Sequence, residues 1–191
     1  MKPAPFEFAR PASLQEALEV LAANPGAKVL AGGQSLIPLL SMRLAAPDML
    51  VDINGIPELA SVRSDDDGVR VGALARHAEV EADPDARRVQ PLLSRALRMV
   101  AHPTLRNRGT TVGSVVHADA AAEMPAVLAL LGGTVTAAST AGTREIAADE
   151  RFVGRPPTRE STCRPGAPAP RVARRPGRRA RGCPRRCPGC G

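Results

Sequence analysis

Val29-Leu30-Ala31-Gly32-Gly33-Gln34-Ser35-Leu36 is a short apolar run that breaks into two glycines and then enters a helical pattern. A strand ending in Gly-Gly just before a helix is suited to cradle a diphosphate. Glycine lets the backbone come close, and the first-turn amides of the following helix face the anion with a favourable dipole. Alone, the pattern equally describes turns that only connect two elements. A distant stretch, Arg106-Asn107-Arg108-Gly109-Thr110-Thr111-Val112-Gly113-Ser114, strengthens the reading. It offers two threonine hydroxyls, a serine and several amides suited to phosphate oxygens, with Arg106 and Arg108 adding charge nearby. The two stretches are expected to be loops that clasp one diphosphate between them.

Working outward from the first stretch, Phe6 and Phe8 alternate with Glu7 as in a short strand. Ser13-Leu14-Gln15-Glu16 is a Ser-x-x-Glu helix start, and Leu14, Ala17, Leu18 and Leu21 mark one buried helical face. Asn24-Pro25-Gly26 closes that helix, and 28–31 reads as a buried strand. A short helix over 36–44 follows, with Pro38 tolerated in its first turn, and 49–53 reads as another strand. A strand–helix–strand–helix–strand lobe is thus complete by about residue 55.

The next section has a different texture. Segments 60–63 and 69–73 flank Asp65-Asp66-Asp67-Gly68, a hairpin signal with Asp-Gly at the turn. Helical patterns follow near 75–82 and 89–100, then the second glycine-bearing loop, a helix over 121–131 and a strand over 134–138. Residues 149–154 read as a loop returning to the sheet. The predicted organisation is an N-terminal lobe over 1–56, a second α+β lobe with antiparallel strands over 57–154, and a tail over 155–191.

Charge follows the same boundary. Residues 1–154 carry 15 Lys and Arg against 18 Asp and Glu, a net −3, whereas 155–191 carry 11 Arg and one acid, a net +10. All four cysteines (Cys163, Cys183, Cys187, Cys190) lie in the tail, so the body has no disulfide framework and fits a reducing, cytoplasmic setting. No stretch approaches the ~20 apolar residues of a membrane span. Trp and Tyr are absent and Phe occurs three times, so a ligand here is held by backbone and aliphatic walls. The tail contains no Leu, Ile, Met or Phe, and a segment so poor in large apolar residues is expected to be disordered. Three readings of it compete: an arginine-rich nucleic-acid arm, a zinc site using Cys183, Cys187 and Cys190 with Cys163, or GC-rich codons read out of frame. The abrupt change of composition favours the last, which also leaves open that this copy is an inactive remnant.

Together, Ala31-Gly32-Gly33-Gln34-Ser35-Leu36, Gly72-Ala73-Leu74-Ala75-Arg76-His77, Arg106-Asn107-Arg108-Gly109-Thr110, His117-Ala118-Asp119 and Ala122-Glu123-Met124-Pro125 resemble the flavin-binding medium subunit of the molybdenum hydroxylases. These are enzymes of the carbon monoxide dehydrogenase and xanthine dehydrogenase type. The resemblance covers residues 1 to about 154. It implies a two-lobed FAD-binding fold of the vanillyl-alcohol-oxidase (PCMH) type, incomplete at its C-terminus. It further implies that Val29, Leu30, Ala31, Gly32, Gly33, Gln34, Ser35 and Leu36 supply one FAD diphosphate loop. Thr110, Thr111, Gly113 and Ser114 would supply the other, and Glu123 an acidic contact to the cofactor. His77 is better read as a structural residue. Val112 stands before Gly113 where many relatives have a further glycine. In this family FAD passes electrons onward from iron–sulfur (2Fe-2S) clusters on a small subunit, and a molybdenum cofactor on a large subunit transforms the substrate. The resemblance therefore implies those two partner subunits, and no catalytic residue or metal ligand on this chain.

Overall fold

The computed structural model describes residues 2–151 and 170–173. Three short strands, β1 (Glu7–Ala9), β2 (Lys28–Leu30) and β3 (Met49–Asp52), form a parallel sheet in the order β1-β3-β2. Helix α1 (Leu14–Ala23) joins the first two, and α2 (Leu36–Ser41) joins β2 to β3. Ser13 caps α1 by accepting from the Glu16 amide at 3.2 Å, and the Glu16 carboxylate returns to the Ala12 amide at 2.8 Å. Ala17, Leu18 and Leu21 are buried as the sequence pattern requires. Ala17 and Leu21 pack with Ala27, Val51, Ile53, Ile56 and Leu74 into a small core. Helix α2 stops at Ser41, three residues before the expected end, and Arg43 adopts φ 59° in the turn that follows.

Beyond residue 60, β4 (Val62–Asp65) and β5 (Gly68–Val71) form the expected hairpin. Its two-residue turn is Asp66-Asp67 rather than Asp67-Gly68, because the Asp65 carboxylate accepts from both the Asp67 and Gly68 amides at 3.0 Å. The helices are α3 (His77–Ala82), α4 (Pro84–Val89), α5 (Pro91–Leu97), α6 (Pro103–Arg106), α7 (Thr111–His117) and α8 (Glu123–Leu130). They are followed by β6 (Thr134–Ser139), β7 (Gly142–Ala147) and α9 (Ala148–Arg151). The second core gathers Val69, Val71, Val80, Leu93, Leu97, Val112, Met124, Leu128 and Val135 between this sheet and its helices. Strand β7 and helices α4, α6, α7 and α9 lie where the sequence reading placed no helix or strand.

Four residues of the tail depart from the expectation of disorder. Pro170–Ala173 form β8, which lies between β5 and β6 in a five-stranded sheet of order β4-β5-β8-β6-β7. Its register sets Val172 opposite Val69 and Arg171 opposite both Arg70 and Thr134. Backbone hydrogen bonding between strands is nearly indifferent to side-chain type, and β5 and β6 each present an edge that needs a partner. That accounts for a strand in a segment whose composition argues against one. The four cysteines and the remaining tail arginines lie outside the described residues.

Candidate functional site

The two glycine-bearing stretches meet. At Gly32 an added Cβ would lie 2.5 Å from the Arg108 carbonyl oxygen, 2.9 Å from Gly109 Cα and 3.0 Å from the Thr110 nitrogen. All three are backbone atoms, so only a residue without a side chain allows this approach. Gly33 has φ 70°, a left-handed conformation that turns the chain sharply out of β2 and costs other residues about 1–2 kcal/mol. The Gln34 side chain folds back to donate to the Gly32 carbonyl at 2.9 Å. Ser35 is already helical and places no side-chain cap on the first turn of α2. In that first turn Ile37 already donates to the Gly33 carbonyl at 2.9 Å and Pro38 has no N–H, so the missing cap leaves the Leu36 amide as the helical donor available to an anion.

The second stretch is not a loop throughout. Arg106 ends α6, residues 107–110 turn, and Thr111 begins α7. The Thr110 hydroxyl caps α7 by accepting from the Gly113 amide at 3.1 Å. Thr111 lies 3.2 Å from His77 Nδ1, and both threonines are 3 % exposed. The two hydroxyls thus serve the fold locally, and the more open part of this stretch is the partly exposed Gly113-Ser114 pair in the first turn of helix α7. Val112 points away from it into the second core at 3 % exposure, so its branched side chain leaves that turn unobstructed. Glu123 opens α8, which packs on α7, and is half-buried. Val29, Leu30 and Leu36 are partly buried around the first turn.

Two residues that the sequence reading did not single out join these stretches. Asn54 donates to the Ala31 carbonyl at 2.9 Å and accepts from Arg76 Nη2 at 2.7 Å. Arg76 Nη1 donates to the Arg108 carbonyl at 2.6 Å. The backbone continues the seam. His77 donates its amide to the Gly109 carbonyl at 3.0 Å, and Thr111 donates to the Ala75 carbonyl at 3.2 Å. Arg76 was visible only as part of a quoted motif, and nothing in the linear spacing of Asn54 marks it.

His77 is buried beneath the second stretch. Burial, with the nearby Arg106 guanidinium, lowers its pKa from 6.5 to about 4, so it is neutral at physiological pH. Its ring crowds Gly109, where a Cβ would stand 3.0 Å from Cδ2. Arg106 is itself tied down. It pairs with Glu81 at 3.0 Å and donates to the carbonyls of Val100 and Ala101, both at 3.1 Å. These side chains shape the loop and present no nucleophile or general base to solvent. A shallow pocket of about 330 Å³ beside them is lined by Glu81, Arg87, Pro103, Arg106 and Asn107 among others, with no residue of the first stretch in its wall.

In the second stretch the amides of Gly109, Thr111, Gly113 and Ser114 are already committed to Leu105, Ala75 and Thr110. The donor set is therefore the backbone of the first turn, with glycine at the point of closest approach, the partly exposed Ser114 side chain and no titrating group. That suits the diphosphate of a dinucleotide. Among the described residues no group of three or more His, Cys, Asp and Glu could hold a metal ion, and no helix is long and apolar enough to cross a membrane.

Comparison with known proteins identifies the family of the fold. The profile of the FAD binding domain in molybdopterin dehydrogenase matches residues 4–167, past the compositional boundary near 154. The 6-hydroxypseudooxynicotine dehydrogenase complex subunit alpha of Paenarthrobacter nicotinovorans is 47 % identical over 154 residues, which is 80 % of this chain and 52 % of that protein. Among solved structures, quinoline 2-oxidoreductase from Pseudomonas putida 86 superposes with a TM-score of 0.83 at 41 % identity. The match covers 91 % of this chain and 61 % of that one. Carbon monoxide dehydrogenase from Oligotropha carboxidovorans gives 0.85 at 30 % identity, over 92 % and 62 %. The chain spans about half the length of the curated relatives it matches.

Proposed function

This chain belongs to the family of FAD-binding domains in molybdopterin dehydrogenases, and we propose that it serves as the FAD-binding electron-transfer subunit of a molybdenum-containing hydroxylase or dehydrogenase. The observation that carries this reading is the backbone contact of Gly32 with residues 108–110, which sets two glycine turns side by side. Gly32, Gly33, Gln34 and Ser35 would hold one side of the diphosphate through their main chain, and the Ser114 hydroxyl, beside the side-chain-free surface of Gly113, the other. Val29, Leu30, Ala31 and Leu36 form the aliphatic surround, while Thr110 and Thr111 support the second turn from beneath. Glu123, at the start of α8, is assigned the acidic contact to the cofactor.

When bound, FAD supplies the capacity to take up electrons and release them to an acceptor, and the protein contributes binding, orientation and electrostatics. The partners are an iron–sulfur small subunit and a molybdenum-binding large subunit, and the setting is cytoplasmic. The domain organisation in this reading is a first lobe over 1–56, a second over 57–154 and a tail over 155–191, with the two separate sheets supporting the division between the lobes.

Comparative titration of the purified chain with FAD and FMN, followed by flavin fluorescence, tests the assignment. FMN lacks the diphosphate, so FAD is expected to bind at least about tenfold more tightly, equivalent to about 1.4 kcal/mol. Equal affinity for the two would contradict a diphosphate cradle.

A further inference from the structure

We propose that Arg76, acting through Asn54, is a positioning residue that sets the separation of the two diphosphate-binding turns; the proposal rests on the FAD reading above. The observation is a continuous side-chain bridge from one turn to the other. The Asp52 carboxylate, at the end of β3, accepts from both the backbone amide and the side-chain amide of Asn54, at 3.0 and 2.6 Å. So fixed, Asn54 holds the Ala31 carbonyl and presents its oxygen to Arg76 Nη2. Arg76 Nη1 then holds the Arg108 carbonyl. Its own backbone is anchored twice, by the Glu79 carboxylate accepting from its amide at 2.8 Å and by a bridge to Thr110.

The chemistry requires arginine. A guanidinium presents two terminal nitrogens in a rigid plane and can donate to two acceptors on separate segments at once, whereas a lysine ammonium is a single point donor. The carbonyls held are those preceding the two glycines of closest approach, Gly32 and Gly109. Because a peptide unit is planar, fixing the Ala31 carbonyl toward Asn54 turns the Gly32 N–H to the opposite side. The bridge therefore governs both the spacing of the turns and the aim of a donor, without touching the ligand. His77, next in sequence, supports the same seam from below by donating its amide to Gly109.

The test uses Arg76→Met, Arg76→Lys and Asn54→Ala in the 191-residue chain, with FAD, ADP and AMP as probes and thermal unfolding measured without ligand. Arg76→Met is expected to weaken FAD binding at least about tenfold and to erase most of the preference for ADP over AMP, with little change in the ligand-free melting temperature. Asn54→Ala, which keeps the charge of Arg76, is expected to show the same loss of preference. Arg76→Lys is expected to recover only part of it. Wild-type preference for ADP in either Arg76→Met or Asn54→Ala overturns the proposal, as does full recovery by lysine, which would mean that charge alone suffices. If the wild-type chain binds FAD but these variants are unaffected, only this inference fails. If the wild-type chain binds neither FAD nor ADP, the FAD reading fails and takes this inference with it.

Discussion

At the scale of single residues, the site depends on Gly32 and on a buried histidine. Gly32→Ala would drive a methyl group into the backbone of residues 108–110. The expected cost is about 1–3 kcal/mol of stability, with FAD binding lost as the turns part; chemical denaturation and a flavin titration would show both. His77 makes a prediction about pH. Its folded pKa, about 4, lies below the 6.5 of the unfolded chain, so between these values the unfolded state binds more protons. Its contribution is therefore complete above pH 6.5 and is lost as the pH falls toward 4. His77→Gln should flatten the stability profile across that window, and unchanged pH dependence in denaturation curves of the variant would refute the assignment. The glycines and the histidine could be picked out in the sequence because their types are uncommon and their motifs compact. Asn54 and Arg76 could not, since their roles exist only where β3, α3 and the two turns converge.

Among the elements, the first lobe was nearly readable from its pattern. Its capping box, its i, i+3, i+4, i+7 spacing and its apolar strands all agree locally. Helix α7 was not, because Thr111, Val112 and Gly113 are poor helix formers and the segment reads as a loop by propensity. The usable signal was Thr110, a good capping residue three positions before Gly113, whose amide it accepts. Thr110→Ala should therefore cost about 1 kcal/mol in chemical denaturation, and Thr110→Ser much less. Equal losses in the two variants would show that the threonine matters for packing rather than capping. Strand β7 escaped notice because five of its six residues carry either a polar side chain or none large enough to mark a buried face, so alternation gives little contrast; the register from Thr134↔Ala147 to Ser139↔Gly142 defines it only in the presence of β6.

For the whole molecule, composition separated an acidic body from an arginine-rich tail, yet β8, from beyond that boundary, joins the sheet of the body, and the family match runs to residue 167. A strand in the middle of a sheet is specified by the open edges on either side of it, which no reading of its own residues reveals. The central claim is that the two turns, held by the body of this chain, form a working FAD site. The most direct measurement is the visible absorbance spectrum of the purified 191-residue protein after mixing with FAD and desalting, run beside Gly32→Ala. The account predicts a retained flavin band near ~450 nm in the wild-type chain and its loss in the variant. Soluble, folded wild-type protein that emerges without flavin would contradict it.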